Sequence, residues 1–309
     1  MTVSRRHLLK TSAALTTAAT LPAQAAAETL NFVLIGDWGR RGHDNQTNVA
    51  QQMGVTAAAI NSRFTVSMGD NFYENGVTGL DDPQWQASFE KIYTADSLQS
   101  PWKIILGNHD YRGNVQAQLD YAKTSKRWQL PARYYVETQP LPDGAKADFF
   151  YLDTSPFITK YIGTRTNISG QDSQAQLNWL DAALQKSTAQ WKIVIGHHPI
   201  YTALAPDSYG EHDTPELIAR LDPILRKHGI RIYINGHDHN LQSVTLNNLT
   251  YVTNGAGSET YDQSSPTIRN GFVSGSHGFM TVSLSSQKLE FSLIDMAGAT
   301  LYVQSIIRA

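Results

Sequence analysis

The 309-residue chain contains no cysteine. That excludes disulfide staples and any metal site built on thiolates. Basic charge is not in excess either: 25 Lys and Arg stand against 27 Asp and Glu, a formal net charge of -2. The first 27 residues hold Arg5, Arg6 and Lys10 and no acid, so the remainder is more acidic still. No footprint for nucleic acid or an anionic membrane is left, and neither is expected as a partner. Long apolar runs are missing as well. The stretch after Lys10 is weakly apolar and too short to span a bilayer. What remains, 41% hydrophobic and 17% charged, is the composition of a globular protein with a sizeable core.

The N-terminus reads as an address. "SRRHLLK" (Ser4–Lys10) leads through an Ala/Thr/Leu stretch into "LPAQAAAE", with an A-x-A site ending at Ala25 or Ala27. Twin arginines, a modest apolar region and that site describe a twin-arginine export signal over residues 1–27. The implied partner is the twin-arginine translocation machinery, and the implied location is periplasmic or secreted. An exported chain without disulfides must rely on its own core, and folding before export would suit it. Residues 28–309 show no linker and no low-complexity stretch. They are expected to form a single domain acting as a monomer.

Strands and helices alternate along that domain. Thr29–Asp37, Arg63–Asp70 and Pro101–Asp110 read as strands, separated by helical stretches at Asp44–Asn61 and Asp82–Tyr93. Residues 113–125 are a further helix candidate, and "ARYYVET" and "ADFFYLDT" an antiparallel pair. Ser173–Ser187 is an amphipathic helix with Leu177, Leu180, Ala183 and Leu184 on one face. The strand "QWKIVIGHHP" is followed by a helix over "TPELIARLDPILRKHG". Thr214 is a candidate cap there, Pro215 lies in the first turn and Gly229 near the end. The strand "IRIYINGHDH" comes next. From about Gln242 the tail reads as short alternating strands.

Five strands therefore end in polar loops: "GDWG", "GDNFY", "GNHD", "GHHP" and "GHDH". Asp37 and Asp70 are 33 residues apart, Asp70 and Asn108 38, His197 and His237 40. A βαβ unit takes roughly 30 residues or more, so each such step is about one unit. The spacing puts the loops at strand carboxyl ends, where open α/β folds place their ligands. One such loop means little. Five of them, rich in Asp, Asn and His, offer hard oxygen and imidazole donors that suit Fe, Mn or Zn. Two such ions can clamp a displacement at phosphorus.

In this order the motifs GDxG, GDxxY, GNHD, GHxP and GHxH resemble those of the purple acid phosphatases, among the calcineurin-like metallophosphoesterases. The resemblance runs from about Asn31 to Ser258 and is closest to the small tartrate-resistant type. It implies a four-layer α/β/β/α sandwich with a dimetal site at the strand carboxyl ends. Related phosphoesterases begin with D-x-H, whereas here Gly39 stands at the histidine position. In the purple acid phosphatases a tyrosine three residues after the bridging aspartate replaces that ligand, and Tyr73 occupies its place. The resemblance implies Fe(III) held by Asp37, Asp70, Tyr73 and His239. It implies a second, divalent metal (Fe, Zn or Mn) held by Asp70, Asn108, His197 and His237.

The implied activity is hydrolysis of small phosphomonoesters by in-line attack of a metal-bound hydroxide. His109 would protonate the leaving group, and His212 would lie over the phosphate. Asp110 and Asp238 would orient the histidines, and Asn240 would be structural. The role of His198 stays open. His228 suits a helix C-terminus, while His43 and His277 read as loop residues. Trp38, Phe72, Trp102 and Tyr111 gather near the loops, with Trp38 a candidate for the pocket mouth. Two alternatives stand beside this one: a phosphodiesterase or nucleotide-directed hydrolase of the same fold, and a metal-loaded binding protein without turnover.

Overall fold

A computed structural model describes Met1 and residues 29–205, 212–261 and 267–308. Apart from Met1, the export signal lies outside the described residues. With strands numbered in chain order, the first sheet holds β1 (Leu30–Ile35), β2 (Thr65–Met68), β3 (Trp102–Ile105) and β4 (Trp128–Gln129). It continues with β12 (Gly278–Leu284), β13 (Lys288–Asp295) and β14 (Thr300–Ile307). Their spatial order is β14-β13-β12-β1-β2-β3-β4. The second sheet holds β5 (Tyr135–Pro140), β6 (Lys146–Tyr151), β7 (Trp191–Ile195), β8 (Ile232–Asn235), β9 (Leu241–Leu246), β10 (Leu249–Asn254) and β11 (Phe272–Ser274). Its order is β11-β9-β10-β8-β7-β6-β5.

The period-2 alternation of each strand builds the layers. In β1, Phe32 and Leu34 enter the core shared by the two sheets. Val33 and Ile35 point the other way, toward α1 (Gln46–Ala59) and α2 (Val115–Tyr121). In β7, Ile193 and Ile195 face the shared core. Val194 faces α3 (Ser173–Lys186), α4 (Pro215–Arg220) and α5 (Asp222–Lys227). Each such side chain, fully buried, stabilises the fold by roughly 1.5–3 kcal/mol. The result is the expected four-layer sandwich.

Several elements differ from the sequence reading. The helix expected over Asp82–Tyr93 is a single π-helical stretch, Trp85–Glu90. The helix expected after Thr214 breaks at Leu221 into α4 and α5, because Pro223 in the first turn of α5 has no N–H to donate. Thr214 precedes α4 but makes no side-chain cap bond, while Gly229 takes a positive φ of 64° just after α5. The tail is not merely short strands. β12 pairs antiparallel with β1, and β13 and β14 extend that sheet as long antiparallel strands.

Parallel pairing of β1 with β2 and β2 with β3, and of β7 with β8, points their carboxyl ends the same way within each sheet. Contacts between the sheets join those ends: His197 Nδ1 lies 2.8 Å from the Met68 carbonyl oxygen, and the His237 N–H donates to Asp37 Oδ2 at 2.9 Å.

Candidate metal centre

Asp37, Asp70 and His237 each directly follow the glycine after a strand, and each adopts a positive φ, of 60°, 49° and 70°. Non-glycine residues rarely do this, and such strained positions cluster at functional sites. The geometry turns the chain sharply at the strand end and aims the side chain across the sheet edge. It also needs close approach of the loops. A Cβ on Gly107 would meet Asp70 Oδ1 at 2.2 Å, which explains glycine before Asn108. A Cβ on Gly39 would meet the Asn71 carbonyl oxygen at 1.8 Å, so this loop has no room for a histidine there. The Gly39 carbonyl instead accepts the Tyr73 N–H at 2.9 Å.

Two groups of donors result. In the first, the Tyr73 hydroxyl oxygen lies 3.0 Å from each of Asp37 Oδ1, Asp70 Oδ2 and His239 Nε2. In the second, His197 Nε2 lies 3.2 Å from Asn108 Oδ1 and 3.4 Å from Asp70 Oδ1. The His237 ring stands 5.1 Å from the His197 ring. Asp70 thus offers one oxygen to each group. All seven residues singled out as ligands in the sequence meet here. His198 joins the second group: donor atoms of His197, His198 and His237 lie within 4.8 Å of one another.

The electrostatics call for a cation. Asp37 and Asp70 are buried, and among the described residues no lysine or arginine forms an ion pair with either. Buried carboxylates are costly unless positive charge lies close, and among the described residues only histidine rings supply it. Burial opposes ionisation of Asp70, but His197, His109 and His237 hold its pKa well below the usual carboxylate range. Burial likewise opposes protonation of His197, yet Asp70 and Asp37 push it up to about 9. Burial and then the two carboxylates push the Tyr73 phenol well above its ordinary range. Its deprotonation therefore needs a strong cation within reach. Three hard oxygen donors with one imidazole, beside a carboxamide, a shared carboxylate and two imidazoles, fit a pair of hard or borderline metal ions. The Met68 carbonyl accepts from Nδ1 of His197, which leaves Nε2 free to bind a metal.

The two histidines expected to work on substrate flank this cluster. His109 donates its backbone N–H to Asp70 Oδ1 at 2.7 Å, and its ring lies 4.3 Å from the Tyr73 ring, tilted 53° to it. Burial lowers its pKa, with Asp70 opposing and Arg112 adding to the fall. His212 places Nδ1 2.5 Å from Asp238 Oδ1, with a half-exposed ring 5.6 Å from that of His237. Asp238 thus orients a histidine, as the sequence suggested. Asp110 does not. It accepts from the N–H groups of Gly107 and Asn71 and from Gln118 Nε2, so it braces the loop backbone. Trp38 is fully buried, donates to Ser67 Oγ at 2.8 Å and packs among aromatic rings, so it is no part of the pocket mouth.

Sequence reasoning missed three contributors. The Thr154 hydroxyl oxygen accepts the N–H groups of both His197 and His198. Tyr161 places its hydroxyl 3.0 Å from His198 Nε2. Arg40 lies 4.0 Å over the Tyr73 ring. Only Arg40 carried a signal, as a charge directly after "GDWG"; the others arrive from distant segments.

The family model described as calcineurin-like phosphoesterase matches residues 30–241, and a twin-arginine translocation pathway signal matches residues 2–22. Purple acid phosphatase 7 of Arabidopsis thaliana is 39% identical over 90% of this chain and 86% of that protein. Tartrate-resistant acid phosphatase type 5 of Homo sapiens is 32% identical over 91% of each. A solved structure described as GAP50, the anchor in the inner membrane complex of Plasmodium, superposes with a TM-score of 0.79 at 25% identity, covering 91% of this chain and 89% of that one. Purple acid phosphatase PPD1 from yellow lupin shares the fold, with a TM-score of 0.65 at 14% identity over 92% of this chain and 54% of that one.

Proposed function

We propose, for this chain that belongs to the purple acid phosphatases within the calcineurin-like phosphoesterases, an exported dimetal acid phosphatase acting on small phosphomonoesters. The observation that carries the proposal is the convergence of Asp37, Asp70, His239 and Tyr73 on one point. In this proposal those four residues hold Fe(III). Asp70, Asn108, His197 and His237 hold a divalent Fe, Zn or Mn ion. When bound, the pair supplies an acidified water as nucleophile and positive charge facing the phosphoryl oxygens.

The chain's own residues do the rest. Asp70 bridges the two groups and sets their spacing. His109 stands beside Tyr73 with its ring partly exposed, and gives its proton to the leaving oxygen. His212 faces the phosphate, with Asp238 fixing its Nδ1–H and so its ring orientation. Residues 28–309 act as one domain and a monomer, delivered by the twin-arginine machinery to the periplasm or beyond. No helix among the described residues is long and apolar enough to cross a membrane.

Metal analysis combined with a visible spectrum tests the metal assignment. The parent protein should show a broad phenolate-to-iron charge-transfer band, and Tyr73→Phe should lose it. A colourless parent holding two Zn or Mn ions would overturn the iron assignment while leaving hydrolysis in place. Faster turnover of phosphodiesters than of monoesters would move the substrate class to the diesterase alternative.

A further inference from the structure

Arg40 lies beside the ligand set without belonging to it. Its guanidinium carbon lies 4.0 Å from the centre of the Tyr73 ring. The side chain is only 11% exposed, although it ends in a charge. Nη1 donates to Glu74 Oε1 at 2.7 Å, and Nη2 pairs with Glu259 Oε2 at 2.6 Å. Both glutamates are themselves more than half exposed. With Asp44 Oδ2 a further 3.9 Å from Nε, a guanidinium spent on carboxylates is badly placed to clamp a substrate phosphate. It is well placed to keep its plane against the phenol, because the two acids come from different loops and hold it from two sides.

A cation over an aromatic face is attracted by the electron-rich ring, more so when water is excluded. The attraction grows when the ring becomes a phenolate. We propose that Arg40 is a positioning residue that tunes the Tyr73 phenolate as an iron ligand. It stabilises the phenolate electrons, weakens their donation to Fe(III) and so raises the reduction potential of the iron. Glu74 and Glu259 set the strength of the effect by partly neutralising the guanidinium. The proposal rests on the assignment of Tyr73 to iron made above.

Three variants, two of them with opposite expected signs, test it, read by the charge-transfer maximum and the iron reduction potential of metal-loaded protein. Arg40→Met should move the band to longer wavelength and lower the potential. Arg40→Lys should fall between it and the parent. Glu259→Gln, at an exposed acid outside the ligand set, should move the band to shorter wavelength and raise the potential. It also covers the case in which Arg40→Met fails to fold. A purple parent whose band and potential stay unchanged in the iron-loaded variants would overturn the role of Arg40 and leave Tyr73 as ligand. A parent with bound iron but no charge-transfer band would overturn the Tyr73 assignment itself, and this inference with it.

Discussion

His109 and His212 flank the same centre but are held differently. His109 is partly enclosed, its ring packed against Tyr73, and its pKa is lowered chiefly by burial. A lowered pKa makes the imidazolium form a stronger acid, and proton transfer to a departing alkoxide becomes more favourable as the bond breaks. His109→Asn should therefore reduce kcat by about 10²–10⁴-fold on alkyl phosphates. On a nitrophenyl phosphate, whose leaving group needs no proton, the loss should be small. Equal losses on both substrates would assign His109 to positioning instead. A protein without turnover would show no kcat to lose, which separates the binding-protein alternative.

Among the elements, α3 shows how a local signal seats a layer. Asp172 precedes it in an extended conformation and accepts the N–H groups of Gln174 and Ala175, both at 2.9 Å. The helix then buries Leu177, Leu180 and Leu184 against the second sheet. Asp172→Ala should cost about 0.5–2 kcal/mol in denaturant unfolding, with kcat unchanged, because α3 contributes none of the proposed ligands. A drop in activity without loss of stability would mean that α3 reaches the site in a way its contacts do not indicate. The metal-ligand loops follow a different rule. Their glycines and left-handed aspartates are locally unfavourable, and are tolerated because both sheets hold the strand ends in place.

At the scale of the whole molecule, buried acids couple stability to solution conditions. Among the described residues, Asp37 and Asp70 have no lysine or arginine partner, so metal binding to the native state should add stability. A strong chelator should lower Tm, and restoring the metals should recover it. An unchanged Tm in demonstrably metal-free protein would show that the fold does not depend on the centre. Asp153 acts through protons. Burial pushes its carboxyl up to about 7, and the Tyr111 hydroxyl bond and Arg133 offset this only in part. Its Oδ1 is buried with no partner, which disfavours the anion further. A folded-state pKa above the unfolded value gives stability that is present in full below about pH 4 and is lost as pH rises through about 7. Asp153→Asn should therefore gain on the parent between pH 5 and pH 8 in denaturant titrations. Parallel curves would show that Asp153 titrates normally.

The amino-acid order alone determined the type and order of most elements, because alternating and helical periodicities are local. It placed the candidate donors too: a strand ends where its apolar run meets Gly-Asp, Gly-Asn or Gly-His, and that boundary is written in adjacent residues. Gly39 and Tyr73, one ligand absent and one supplied, were legible for the same reason. The tertiary structure decided what depends on which loops meet. It buried Trp38 behind Ser67 and turned Asp110 from the histidines to the loop backbone. It also brought Thr154, Tyr161 and Arg40 to the centre. The physical reason is separation along the chain. Arg40 meets Glu259 only because β1 and β10 come from different sheets packed face to face, a contact that no window of neighbouring residues contains.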